Sequence, residues 1–201
     1  MRHVGLLPAA LAVSAATVLT GLPAAAGPVA DTPIQVGPVS ARGPWCTGRD
    51  VRAFVDGDRL VVSHERFRAE LGPMFDPPRA RTDVTCAATI QLDAGPGRRV
   101  VLDGATHTQG RTISPRSELR SVAAVEFGGG TAPFESTVST GATTLSEDVV
   151  LPQSFAAPLT GACGRATLKL TSQLVFQTQD ATQPSGVWWT ESRVGARAVP
   201  C

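Results

Sequence analysis

The feature that most constrains the fold is a two-residue alternation of apolar and polar side chains in short segments. From Val84 to Asp93, apolar residues alternate with polar ones, and the segment from Ala166 to Thr178 repeats the pattern. Successive side chains of a strand point to opposite faces, so this period predicts strands with one buried and one solvent-facing side. No segment shows a helical period longer than two turns. The chain is therefore predicted to be all-β.

Glycine and proline stand at the corners between these segments. Asp56-Gly57 separates the β-rich runs Val51 to Val55 and Leu60 to Phe67, which is a strong hairpin signal. The proline-rich stretch 71–81 predicts a surface connection. Many short strands with such corners predict an antiparallel β-sandwich of jelly-roll type.

The pattern is less clear in the middle of the chain. After the strand predicted at Arg98 to Asp103, residues 105–119 are polar and do not continue the alternation. Leu119 to Phe127 predicts another strand, and Val187 to Val194 a returning one near the end. For residues 131–146, which are rich in Thr and Ser, periodicity leaves open short paired strands or a loop.

The first 26 residues have the pattern of a secretory signal peptide. Arg2 and His3 precede an apolar run from Val4 to Leu19, and small residues up to Ala26 predict cleavage there. Polar residues and a glycine interrupt the end of the run, so a retained transmembrane helix is the weaker alternative. No membrane span is expected after cleavage.

The remainder has the length of one domain. About 175 residues follow the predicted cleavage point. Residues 27–42 contain several prolines and glycines and are interpreted as an extended leader, with a short edge strand at Ile34 to Val36. Residues 43–201 are predicted to form a single β-sandwich domain.

All four cysteines, Cys46, Cys86, Cys163 and Cys201, follow the predicted signal peptide. Export favours their oxidation, and four cysteines allow three connectivities. Pairing Cys46 with Cys86 and Cys163 with Cys201 is favoured because each pair encloses neighbouring strand segments. The expected protein is secreted and carries two disulfides.

Charge and composition exclude several classes of partner. Without Arg2 the mature chain has 17 basic and 17 acidic residues, so no net field attracts nucleic acid or an anionic membrane. The glycines at 128–130 lack the lysine of a phosphate-binding loop. No cofactor is indicated.

Several segments together resemble a known family. The segments GPWC, RLVVSHERFRAELG, CAATIQL, GPGRRVVL and CGRATLKLTSQL resemble the secreted domain of unknown function 4360 family, over nearly the whole mature chain. The resemblance implies export, disulfides and a β-rich fold, and it implies no activity or catalytic residue. That family tends to have an aromatic residue where His64 stands, which implies a packing position for His64.

The paired residues Trp188 and Trp189 are the candidate binding residues. On a strand one ring enters the core and the other faces outward. An outward ring with Gln173 or Gln177 nearby is suited to stacking on a sugar of an extracellular glycan. Trp45, beside a cysteine, is predicted to pack over the disulfide.

Catalytic candidates are weaker. Ser63, His64 and Glu65 are consecutive on a predicted strand, so they cannot converge as a triad. Asp103 and His107 are the basis of an alternative, a secreted hydrolase with a carboxylate or weak metal site, but metal sites need three or four ligands. No metal ligand set is assigned. Three glutamates offer carboxylates for glycoside hydrolysis, with no spacing that pairs them: Glu118, Glu126 and Glu135.

The sequence thus predicts an exported β-sandwich that works non-enzymatically in binding or structure, outside the cell or at its envelope. The secreted hydrolase at Asp103 and His107 and a carbohydrate-binding module using Trp188 or Trp189 remain the two alternatives.

Overall fold

The computed structural model describes residues 33–201, so the predicted signal peptide and the beginning of the leader lie outside the described residues. The described part contains eleven strands and no helix, and hence no helix of the length and hydropathy that a membrane span needs. The strands are β1 (Gln35–Arg42), β2 (Val51–Asp56), β3 (Arg59–His64), β4 (Arg68–Leu71), β5 (Arg81–Asp93), β6 (Arg98–Ile113), β7 (Ser117–Phe127), β8 (Gly130–Ser139), β9 (Leu145–Cys163), β10 (Arg165–Thr178) and β11 (Ser185–Pro200).

The strands form two antiparallel sheets. The five-stranded sheet has the order β1-β5-β10-β7-β8, and the six-stranded sheet has the order β2-β3-β11-β6-β9, with β4 pairing β11 beyond the end of β3. The inward side chains of both sheets make one core, in which the largest fully buried side chains include Trp189, Phe67, Phe127 and Phe176. The predicted all-β sandwich is confirmed.

One strand is longer than the sequence predicts, and another was not predicted. β6 continues to Ile113. The hydropathy pattern does not show this extension, because His107 and Gln109 are polar although both point inward and are fully buried. β9 continues through Pro152 and Pro158 at an edge of the six-stranded sheet. An edge strand tolerates residues that lack an N–H donor. Residues 131–146, which periodicity left open, contain most of β8 and the turn into β9.

The segment interpreted as a leader contributes a strand to the sandwich. β1 pairs with β5 at the edge of the five-stranded sheet, and its register shifts between Val36 and Val39, on either side of Pro38. A bulge at this position lets the proline sit in an edge strand without a broken ladder bond. The sandwich therefore begins with β1, whereas the sequence predicted that it begins at Gly43.

The disulfides are Cys46–Cys86 and Cys163–Cys201, the pairs that the sequence favoured. Cys46 and Cys86 are both fully buried in the core, whereas Cys163 and Cys201 are exposed at the end of the six-stranded sheet. Two disulfides in one domain indicate an oxidising compartment.

We predict that the two disulfides differ in their contribution to stability. They enclose 40 and 38 residues, so loss of the constraint on the unfolded chain costs about 4 kcal/mol in each case. The C46A/C86A variant also leaves a cavity in the core, which costs a further ~1–3 kcal/mol. Urea unfolding will therefore show C46A/C86A to be less stable than C163A/C201A, and the reverse order would contradict the structure.

Candidate functional site

Trp188 and Trp189 point to opposite faces of β11. Trp189 is 0% exposed, and Trp188 is 40% exposed on the outer face of the six-stranded sheet. Trp189, one of the two candidate binding residues, is therefore a core residue that no ligand reaches. Of this pair, Trp188 alone can contact a ligand.

The buried indole belongs to a chain of hydrogen bonds between strands. Trp189 Nε1 donates to Ser192 Oγ at 3.1 Å, and His107 lies between Ser192 Oγ (2.9 Å from Nδ1) and Gln153 Oε1 (2.8 Å from Nε2). The amide of Gln153 donates to the carbonyl of Ala132 at 2.7 Å. Since an amide oxygen only accepts, neutral His107 carries its proton on Nε2 and accepts the Ser192 hydroxyl proton at Nδ1. Every bond in this chain then has one donor and one acceptor.

This arrangement separates Asp103 from His107. Both ring nitrogens of His107 are used inside the core, while Asp103 is exposed and lies 3.8 Å from Arg197. Within residues 33–201 no group of three or more His, Cys, Asp or Glu side chains is placed to hold a metal ion. The predicted pairing of Asp103 with His107, as a carboxylate or metal site, is wrong because the two side chains face opposite sides of the sheet.

The carboxylates proposed for glycoside hydrolysis are also too far apart. Glu118 and Glu126 lie eight residues apart on β7, about 27 Å along a strand, and Glu135 is aligned with Val122 midway between them. The two carboxylates of a glycosidase lie about 5–9.5 Å apart. These glutamates therefore do not form such a pair.

His64 is the second buried histidine. Its Nδ1 lies 3.7 Å from Sγ of Cys86, its ring packs against Phe67, and its Nε2 has no hydrogen-bond partner in the described part of the chain. Burial, and to a lesser extent the nearby His107, lower the pKa of His64 to about 4. Burial also lowers the pKa of His107, against the opposing effect of its bond to Gln153. Both rings are therefore neutral in the folded protein near neutral pH.

The exposed Trp188 stands in a row of outward side chains across the six-stranded sheet. Its cross-strand partners are Arg68 on β4 and Gly110 on β6, and Gly110 is in turn paired with Asp148 on β9. Directly opposed residues share a face of the sheet. A guanidinium, an indole and a carboxylate thus lie side by side on one surface.

Two glycines shape this row. A Cβ at position 186 would lie 2.8 Å from Cη2 of Trp188, so Gly186 lets the indole lie down on the sheet. A Cβ at position 110 would lie 3.0 Å from Oδ1 of Asp148, so Gly110 lets that carboxylate lean toward Trp188. The result is a low surface with an aromatic ring exposed at its centre and a polar group on each side.

We call this surface the Trp188 face, and it consists of Arg68, Trp188, Gly110, Asp148 and Gly186. The Trp188 face is an open surface and not a cavity. Cavities of about 600, 430 and 310 Å³ occur elsewhere in the described residues, and neither Trp188, Trp189 nor His107 lines any of them. A ligand on this face would rest on a sheet rather than enter a pocket.

The sequence did not identify the neighbours of Trp188. Gln173 and Gln177, expected near the outward ring, are on β10 in the other sheet. Arg68, Gly110 and Asp148 come from three separate strands and meet only through the strand register. No sequence motif marks them.

Comparison with known proteins finds no matching family model and no matching curated protein. Among solved structures, the chain resembles TmCBM61 in complex with beta-1,4-galactotriose, at 11% identity and a TM-score of 0.22, covering 85% of this chain and 90% of that one. It also resembles the family 11 carbohydrate-binding module of Clostridium thermocellum bound to a mixed-linked tetrasaccharide (10% identity, TM-score 0.18, 85% and 88% covered). A third match, the enzymatically active domain of bacteriophage CBA120 tailspike protein 4, has 11% identity and a TM-score of 0.19, and the alignment spans 81% of this chain and 19% of that one. Likeness at this level assigns no ligand.

We predict that acid destabilises the fold through His64. The pKa of His64 is about 4 in the folded protein and 6.5 in the unfolded chain, so the unfolded chain binds the extra proton between these values. The free energy of unfolding therefore falls as the pH drops from about 6.5 to about 4, by about 3 kcal/mol from His64. H64F keeps an aromatic ring without the titration, and unfolding curves across this pH range will be flatter for it. An equal pH dependence in H64F and the wild type would contradict this account.

Proposed function

We propose that this protein is an exported, non-enzymatic binding protein that holds a neutral oligosaccharide on its Trp188 face. The observation that carries the proposal is an exposed indole, lying down on a sheet over Gly186, with Arg68 on one side and Asp148 on the other. Large aromatic side chains normally serve the core, so an exposed one in such a setting favours a ligand contact.

The chemistry of these groups matches a sugar ring. A pyranose has an apolar face of C–H groups, which packs on the flat indole, and a rim of hydroxyl groups that both donate and accept hydrogen bonds. Arg68 supplies donors only and Asp148 supplies acceptors only, so the two sides of Trp188 are matched to different hydroxyl groups. An open sheet face with one stacking ring suits a chain of sugars better than a small molecule that needs an enclosing pocket.

Charge balance favours a neutral ligand. Arg68 is paired with Glu70 at 3.5 Å, and the row itself contains one cation and one anion. A charged sugar would gain attraction from one side of Trp188 and repulsion from the other. The chain as a whole, without its predicted signal peptide, carries 17 basic and 17 acidic residues.

Export is part of the proposal. The segment 1–26 has the pattern of a signal peptide, which we propose is cleaved near Ala26, and two disulfides agree with an oxidising destination. The resemblance to the secreted domain of unknown function 4360 family also favours an extracellular location. We therefore place the binding face outside the cell or at its envelope.

We predict that Trp188→Ala weakens sugar binding without unfolding the protein. Calorimetric titration with cello-, xylo-, manno- and galacto-oligosaccharides, from disaccharide to hexasaccharide, will find at least one series that binds the wild type. W188A will bind that series about tenfold more weakly or worse, because the stacking surface is lost.

The matched control is Phe54→Ala. Phe54 is 50% exposed and lies on β2, two strands away from β11 on the same sheet, so its loss removes a similar exposed aromatic outside the Trp188 face. F54A will bind as the wild type does. Absence of binding by the wild type across all four series, or unchanged binding by W188A, would refute the proposed function.

A further inference from the structure

Trp45 is a second exposed tryptophan, in an uncommon backbone conformation. Its side chain is 48% exposed and its φ is 58°, in the left-handed region. Bulky residues rarely adopt this region, and those that do are held there by their surroundings, often at functional sites. The sequence predicted that Trp45 packs over the disulfide, but the structure exposes the ring and buries Cys46 instead.

The contacts of Trp45 fix where its ring lies. The next residue, Cys46, is anchored by its disulfide to Cys86, and its backbone N–H donates to the carbonyl of Gly43 at 3.2 Å. The guanidinium groups of Arg66 and Arg68 lie 5.6 and 5.4 Å from the centre of the indole. Cations at this distance are attracted to the ring and orient it.

Arg68 connects this ring to the Trp188 face. It is the cross-strand partner of Trp188, and its guanidinium lies by Trp45, so the two exposed indoles flank one arginine. The distance between the rings is one strand spacing plus the reach of an arginine side chain, on the order of 10 Å. A monosaccharide can therefore contact one ring, whereas a longer chain can contact both.

We infer that Trp45 is a second sugar contact, and that the ligand is an oligosaccharide running across β4 from Trp188 over Arg68 to Trp45. This inference rests on the proposed function and adds the direction and minimum extent of the ligand. Arg68 then donates to the hydroxyl groups of the sugar between the two rings. Arg66 is paired with Asp50 at 3.8 Å and Arg68 with Glu70 at 3.5 Å, so this end of the path also suits a neutral chain.

The test compares chain lengths in Trp45→Gly and in the wild type. Glycine adopts the left-handed conformation at no steric cost, so W45G keeps the loop and the neighbouring disulfide in place. With the oligosaccharide series that binds the wild type, affinity will rise from the disaccharide until the chain spans both rings. W45G will bind the disaccharide as the wild type does and the hexasaccharide about tenfold more weakly.

Three variants separate the possible outcomes. W188A will lose affinity at every length, and F54A at none. If W45G binds the hexasaccharide as the wild type does while W188A does not, Trp188 acts alone, and this inference is wrong although the proposed function stands. If W45G weakens the disaccharide and the hexasaccharide equally, Trp45 is not a separate contact, which also refutes the inference. If the wild type binds no series, the proposed function is refuted, and the inference that rests on it is refuted as well.

Discussion

The structure depends on how β11 is anchored in the core. β11 is the strand against which β3, β4 and β6 all pair, and a shift by one residue would exchange its buried and exposed faces. Trp189 prevents that shift, because its indole is buried and its N–H donates to Ser192 Oγ. Residues three apart on a regular strand face opposite sides, and the register shift between Trp189 and Glu191 brings Trp189 and Ser192 to the same side. The same anchoring holds Trp188 outside.

Buried polar groups lose their hydrogen bonds to water, and only some of the polar groups in this core replace them with hydrogen bonds to other residues. Hydrogen bonds link Trp189 to Ser192, Ser192 to His107 and His107 to Gln153. Because these bonds join β6, β9 and β11, they favour one packing of the three strands. His64 is different, because its Nε2 is buried with no hydrogen-bond partner within residues 33–201, and protonation there would bury a charge. Acid sensitivity thus follows from the core, where the ring of His64 is buried.

Patterns of hydropathy predicted much of the sandwich and little of the site. Clean alternation identified the centres of β5 and β10, the segment Val187 to Val194 was predicted as a returning strand and forms the middle of β11, and Asp56-Gly57 identified the hairpin between β2 and β3. The second half of β6 was missed because His107 and Gln109 are polar yet buried, and hydropathy cannot register hydrogen bonds made from distant strands. Arg68, Gly110 and Asp148 were missed because only the register of four strands brings them beside Trp188. The opposite orientation of Trp188 and Trp189 was predictable from the strand period, but which of them faces out was not.

The central claim is that Trp188, and not Trp189, meets the ligand. Two-dimensional nuclear magnetic resonance of 15N-labelled protein resolves the indole N–H groups of the three tryptophans, each assigned by substitution. On titration with the oligosaccharide series that binds, the account predicts that the Trp188 signal moves with saturation and the Trp189 signal stays in place. Movement of Trp189 with Trp188 unchanged would contradict the account.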